Sequence, residues 1–319
     1  MKDIFEKFAR RTPVAVMARA ALEYALEPGA LDALFARVAD RQYEKKVLFS
    51  TMLDLTALVV CGGQPTVHAA YKAMLTEIPV SLTAVYAKLA GVEVGTTEAV
   101  VAYSAERLRP VVEALVVDRW LDGYRIRILD GNHLAATQRR LVVLRGCAAG
   151  PLPGQALVVL EPESGLAVQI VACEDGHAQE RSLLAPIIAA AECNDLYIAD
   201  RNFCTLGFLS GLANRPARFA IRQHASMPIA SSGTLRKRGR TETGEVSEQS
   251  VTLTIGEAKL QLRRIVIRLK TPTRDGDTEM AVLTNLPADV AAVTVADLYR
   301  RRWTIETFFG RVEHDLQSE

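Results

Sequence analysis

The sequence predicts an α/β protein with a helical first part, then a mixed β-sheet core with flanking helices that is interrupted by a β-rich insertion. Three observations lead there. Apolar residues recur at steps of three and four through roughly the first 120 residues, which is the period of a helix face. At Tyr124 the pattern changes to the alternation of a strand, and a basic strand-rich stretch later separates one core helix from one core strand. With 319 residues, 49% of them hydrophobic, the chain can bury a sizeable core and divide it into two or three domains.

Taken in order, "ARAALEYALEPGALDALFARVADRQYEKK" carries helical spacing and is broken at Pro28 and Gly29. "VSLTAVYAKLAG" reads as a short helix capped by Ser81 and stopped by Gly91, either a bundle helix or the second helix of a helix-turn-helix. "YRIRILDG" alternates Tyr124, Ile126 and Ile128 with Arg125 and Arg127 and is expected to end as a strand at Asp130. "GQALVVLEPESGLAVQIVACEDG" forms two apolar strands turned at Pro162 to Gly165, a hairpin. A helix over "RSLLAPIIAAAEC", a short strand "DLYIAD" ending in Asp200 and a helix over "NFCTLGFLSGLA" follow. "SSGTLRKRGRTETGEVSEQS" has the composition of an exposed loop. The strands "VTLTIG" and "AKLQLRRIVIRLK", a turn at Asp275 to Asp277 and the strand "MAVLTNL" complete the series before the last helix. The expected domains are a helical DNA-binding or assembly domain at 1–120, the first part of the core at 121–210, a basic β-rich insertion at 211–280 and the rest of the core at 281–319.

Charge and cysteine usage narrow the class. The net charge is +1, yet between Gly211 and Lys270 twelve Arg and Lys residues face four Glu, a local +8 that includes Arg236, Lys237, Arg238 and Arg240. Such a field suits a polyphosphate partner, because each contacted phosphate releases counterions; it also suits an ordinary solvated face. The five cysteines, at 61, 147, 173, 193 and 204, are scattered singly without zinc spacing, as expected of a reduced cytosolic protein. "MKDIFEKFARRTP" lacks the apolar core of a signal peptide, and "FSTMLDLTALVV" contains Asp54 and is too short to span a bilayer, so no membrane role is expected.

The last helix, "DLYRRRWTIETFFGRVEHDL", places Leu298, Arg302, Ile305, Phe309 and Val312 on one stripe. Thr294 and Asp297 read as a capping box that starts it near Val295. Tyr299, Arg302 and Glu306 then share one side, so the guanidinium either braces the carboxylate in a solvated pair or shares a polyanion with it. Asp130 and Asp200 would close adjacent strands at one sheet edge, with Glu306 leaning over it. Singly, Asp130 also suits a turn and Asp200 a strand-end cap or ion pair; facing one another, three carboxylates repel without a cation. Hard cations such as Mg²⁺ take oxygen ligands of this kind, and two of them roughly 3.5–4 Å apart can promote in-line displacement at phosphorus.

"LDGNHL", "YIADRNF" and "YRRRWTIETFF" resemble the three catalytic segments of the DDE transposases of bacterial insertion sequences, in particular the insertion-sequence-four group. That group's signature is Tyr, two residues, Arg, three residues, Glu, six residues, Lys, and Tyr299, Arg302 and Glu306 match its spacing. The resemblance spans about residues 120 to 319 and implies a ribonuclease-H-like core with the β-rich insertion between the second Asp and the Glu. It implies Asp130, Asp200 and Glu306 as catalytic ligands of two Mg²⁺ ions, with Mn²⁺ able to substitute, and Tyr299 and Arg302 as contacts to the phosphates flanking the cut. It further implies double-stranded DNA partners (inverted-repeat ends and a target), self-association in a synaptic complex, and a bacterial, cytoplasmic, nucleoid-associated setting.

The sequence departs from the group in three respects. Glu313 stands at the position of the signature Lys, with Arg311 nearby, and the chain ends at Glu319, thirteen residues past Glu306 (319 − 306), so a C-terminally truncated copy is expected. Phe219 is the single aromatic between Gly211 and Leu298, whereas members that form DNA hairpins stack a flipped base on an aromatic in that region. A catalytically impaired, DNA-binding inhibitor or relic is therefore the alternative reading, and a stand-alone nuclease on the same core is a third.

Overall fold

A computed structural model describes residues 10–42, 46–115, 118–137, 152–273 and 276–315. Helices α1 (Pro13–Ala25), α2 (Pro28–Val38), α3 (Phe49–Val60), α4 (Val67–Ala73), α5 (Leu82–Gly91) and α6 (Val94–Glu113) precede the first strand. The break read at Pro28 and Gly29 is the start of α2: Pro28 has no N–H to lose in a first turn, and the Glu27 carboxylate accepts the amides of Gly29 and Ala30. Ser81 caps α5 by accepting the amide of Ala84. Met52, Leu55, Ala70, Ile78 and Val85 form one small core among these helices, and Leu31, Phe35 and Phe49 another, with the two phenyl rings stacked at 4.8 Å.

The strands are β1 (Arg125–Thr137), β2 (Leu152–Glu161), β3 (Leu166–Cys173), β4 (Asp195–Ala199), β5 (Arg218–Arg222), β6 (Ile229–Ser231), β7 (Arg236–Arg240), β8 (Gly244–Ile255), β9 (Ala258–Leu269) and β10 (Glu279–Thr284). Among the described residues they join in one ten-stranded mixed sheet, in the order β3-β2-β1-β4-β5-β10-β9-β8-β6, with β7 paired to β8. β1, β4 and β5 run parallel as neighbours; the remaining pairs are antiparallel. β5 pairs with β4, and β9 with β10, so the stretch 211–280 is joined into the core sheet at both of its ends.

The pleat decides what each face carries, because successive side chains point to opposite sides. Leu129, Leu157, Val159, Tyr197, Ala199, Phe219 and Ile221 meet α7 (Leu184–Ala190) and α8 (Leu206–Asn214) on one face. Ile126, Ile128, Val158, Leu160, Leu196, Ile198 and Ala220 meet α9 (Ala292–Arg300) and α10 (Thr304–Asp315) on the other. A mixed sheet covered on both faces by helices is the arrangement expected of a ribonuclease-H-like core. It also fixes the side on which Asp130 emerges: two residues beyond Ile128, it shares the face of α9 and α10.

The basic segment differs from expectation. "SSGTLRKRGRTETGEVSEQS", read as an exposed loop, contains β7 and the first half of β8. Composition favoured a loop, but cross-strand pairing favours a ribbon: Lys237 meets Glu245 at 2.9 Å and Arg238 meets Glu248 at 2.7 Å, while Val246 and Val251 turn inward and β9 supplies the neighbouring ladder. Of the turn expected at Asp275 to Asp277, Asp275 lies outside the described residues.

A buried ionic network ties the helical part to the core. Arg127, 7% exposed, reaches Asp195 at 3.2 Å and also pairs with Glu161, which Arg109 of α6 approaches at 3.2 Å. In addition, Glu98 of α6 accepts the backbone amide of Ala172 at 2.8 Å, so α6 shields the edge strand β3 from further pairing. Burial pushes the Glu161 carboxyl up, but the guanidinium groups of Arg127 and Arg109 outweigh it and hold its pKa below the ordinary 4.5. Two outcomes follow. Arg127→Ala, which takes the shared guanidinium from two buried carboxylates and leaves Glu161 to Arg109 and Asp195 to Arg125, should lower unfolding stability by about 2–3 kcal/mol in urea titrations. Because the folded pKa of Glu161 is depressed, its contribution is present above pH 4.5 and is lost as pH falls through the folded value, so Glu161→Gln should flatten the acid limb of stability against pH.

Candidate active site

β1 does not end at Asp130. It continues to Thr137 because β2 continues beside it, with Asp130 opposite Val158 and Asn132 opposite Ala156. Asp130 is therefore a mid-strand residue, and Gly131 is not the turn that the sequence suggested. β4 stops first: its last rung pairs Ala199 with Leu129, leaving Asp200 beside Asp130 at the strand end. There the Asp200 carboxylate accepts the amide of Asn202 at 2.7 Å and caps the short 3-10 turn Arg201–Phe203.

The last helix also differs from expectation. α9 starts at Ala292 with Ala291 as an N-cap that makes no side-chain bond, so Thr294 and Asp297 lie inside the helix rather than capping it. A 3-10 turn, Arg301–Trp303, then separates α9 from α10. The expected stripe survives this break, since Leu298, Arg302 and Ile305 are buried. Ile305, fully buried against the β1 and β4 face, docks α10 so that Glu306 stands at the site.

Arg302 links the acidic groups. Its Nη1 donates to Asp130 Oδ2 at 2.6 Å and its Nη2 to Glu306 Oε1 at 3.0 Å, although Arg302 as a residue is only 9% exposed. Burial raises the Asp130 pKa; Arg302 and the Gly131 amide partly offset this, while Asp200 and Glu306 add repulsion, and the result is about 6. For Arg302, burial works against the charge, but Asp130, Tyr299, Glu306 and Asp200 together hold its pKa above the ordinary value. Tyr299 is 8% exposed, packed in the core beneath this cluster, and burial raises its phenol pKa.

Asp130, Arg302 and Glu306 are thus in direct contact, with Asp200 close enough to act on the charge of both Asp130 and Arg302. Two further polar residues, which no spacing singled out, adjoin them: Glu180 accepts from the Asn202 side chain and lies against Gly131. The basic residues sit elsewhere. Arg236, Lys237, Arg238 and Arg240 are exposed on β7, where Glu245 and Glu248 pair with the last three. Arg236 and Arg238 line a recess of about 510 Å³ beside Arg263 and the start of α9. Among the described residues no three acidic, His or Cys side chains converge as a ready-made metal site, since a guanidinium parts Asp130 from Glu306. The donor chemistry nonetheless fits a hard cation: the oxygens are carboxylates, and a positive group already bridges two of them.

A family model described as a transposase DDE domain matches residues 122–319. A candidate transposase of Sinorhizobium fredii, y4zB, is 30% identical over 135 residues, which cover 40% of this chain and 36% of that protein. The chain thus spans about a third of the length of that relative. No helix among the described residues is long and apolar enough to cross a membrane.

A carboxyl whose folded pKa is raised adds stability below its unfolded value and loses it as pH rises through the folded value. For Asp130 that window runs from 3.8 to about 6. Asp130→Asn should therefore stabilise the cation-free protein at pH 8, by on the order of 2 kcal/mol, and leave it nearly unchanged at pH 4. Urea midpoints at the two pH values measure the difference.

Proposed function

The chain belongs to the transposases with a DDE domain, and from that premise we propose that it is a polynucleotidyl transferase of the insertion-sequence-four group. It would cut DNA at inverted-repeat transposon ends and join the freed 3′ hydroxyl to target DNA. The observation that carries this reading is the contact of Arg302 with Asp130 and Glu306 beside Asp200, four side chains from three separate parts of the chain at one end of the parallel strands.

Asp130, Asp200 and Glu306 would hold two Mg²⁺ ions, or Mn²⁺ in their place, which when bound supply Lewis acidity at the scissile phosphate and lower the pKa of water. The protein's own part is to bind and orient. Asp130 is fixed within β1 and Asp200 just past the end of β4, whereas Glu306, with its side chain 58% exposed, arrives on a helix anchored by Ile305. Arg302 stays protonated in this setting and neutralises the carboxylates in the absence of DNA; with DNA bound, its guanidinium is placed to meet a phosphate oxygen. Tyr299 supports Arg302 from the core side. The exposed face of β7, with Arg236, Lys237, Arg238 and Arg240, would contact the DNA backbone and contribute affinity that falls with salt. Two copies, each bound to one end, would form the synaptic complex.

Departure from the signature Lys at Glu313 favours the second reading, an impaired chain that occupies transposon ends without cutting them. Labelled DNA carrying the native inverted repeat distinguishes the two. With Mg²⁺ or Mn²⁺, nicking at the repeat boundary that Asp200→Ala abolishes is the expected result. Binding by both proteins with cleavage by neither would favour the inhibitor, and cleavage without joined products would favour a nuclease.

A further inference from the structure

Glu180 lies on the short 3-10 turn Glu180–Leu183, fifty residues after Asp130 (180 − 130) and twenty before Asp200 (200 − 180). One of its carboxylate oxygens, Oε2, accepts a hydrogen bond from Asn202 Nδ2. The other, Oε1, lies against the Cα of Gly131, where the Cβ of any larger residue would overlap it. Asn202 is held from a second direction, because Arg181 Nε donates to its backbone carbonyl at 2.7 Å and to its side-chain oxygen at 3.1 Å. Its own backbone amide is the donor to Asp200.

These contacts form a strut. On one side is the residue next to Asp130; on the other is the turn that Asp200 caps. Pairing within the sheet fixes Asp130, but β4 ends at Ala199, so the backbone after it is held by the turn's own bonds, such as Phe203 N–H to the Asp200 carbonyl at 3.3 Å, and by side-chain contacts. We propose that Glu180 is a positioning residue that holds the Asp200 turn in register with Asp130, acting through Asn202 and against Gly131. The proposal rests on the reading of Asp130 and Asp200 as cation ligands. It also explains Gly131 without a turn: at that position the smallest side chain leaves room for the Glu180 carboxylate.

Residues that orient ligands rather than bind the cation typically change metal affinity by about tenfold to a hundredfold when removed. Mn²⁺ alone, titrated by electron paramagnetic resonance into the full chain, reads this without DNA cleavage. Glu180→Ala and Asn202→Ala should each weaken Mn²⁺ binding by about tenfold or more, and the double variant should bind about as weakly as either single one, because both remove the same strut. Glu180→Gln keeps an oxygen that accepts from Asn202 and should stay within about threefold of the parent. Equal losses for Gln and Ala would make the negative charge the active feature and overturn the positioning role; so would multiplying losses in the double variant, or an unchanged affinity in Glu180→Ala. If circular dichroism shows Glu180→Ala to be unfolded, Gly131→Ala, which displaces the carboxylate from the other side, is expected to show the same tenfold loss, and parent affinity there overturns the proposal. A parent chain whose Mn²⁺ binding is insensitive to Asp200→Ala would overturn the ligand reading itself, and the strut's role with it.

Discussion

Three carboxylates brought to one end of two parallel strands repel one another, and the guanidinium of Arg302 is the cation that makes the arrangement tolerable. It spans Asp130 and Glu306 while almost wholly buried, so its charge acts in a medium that screens poorly. Remove it and Asp130 is left buried with acidic neighbours; retain it and the helix bearing Glu306 is drawn onto the sheet. The pleat of β1, the early end of β4 and the 3-10 break before α10 all serve to bring these groups within reach of Arg302.

That cluster needs a rigid support, and the sheet provides it from both sides. Ile126 and Ile128 anchor the Asp130 face under α9 and α10, while Leu129 and Ala199 anchor the opposite face under α7 and α8. Through β10 and β9 the same sheet extends to the basic ribbon of β7 and β8, so the exposed arginines are carried by the framework that holds the acidic site. On the far edge, α6 covers β3 and shares Glu161 with Arg127, which couples the helical part to the strand that carries Asp130.

Much of this was legible in the sequence because it rests on periodicity. The change at Tyr124, the hairpin across Pro162 to Gly165, the short strand before Asp200 and the stripe through Leu298, Arg302 and Ile305 are local patterns with one physical cause each. What stayed hidden depends on neighbours distant in the chain. Asp130 was read as a strand end because Gly131 follows it, whereas β2 extends the strand and the glycine makes room for Glu180. The segment around Arg236 to Glu248 has a loop's composition, and only its pairing to β9 and its crossed charges make it a ribbon. Thr294 and Asp297 had capping spacing, but Ala292 and Val293 already lie in the helix before them. Glu180 and Asn202 belong to no sequence pattern, and their meeting depends on the docking of two short turns.

Under the proposed function, Asp130, Asp200 and Glu306 form one cation site that Arg302 bridges while no cation is bound. Fe²⁺ bound in place of Mg²⁺, with ascorbate and peroxide, generates hydroxyl radicals that cut the backbone only near the bound ion, and peptide mapping locates the cuts. Cuts clustered around residues 130, 200 and 306 and suppressed by excess Mg²⁺ are the expected result. Cuts confined to other segments, or a pattern unaffected by Mg²⁺, would contradict it.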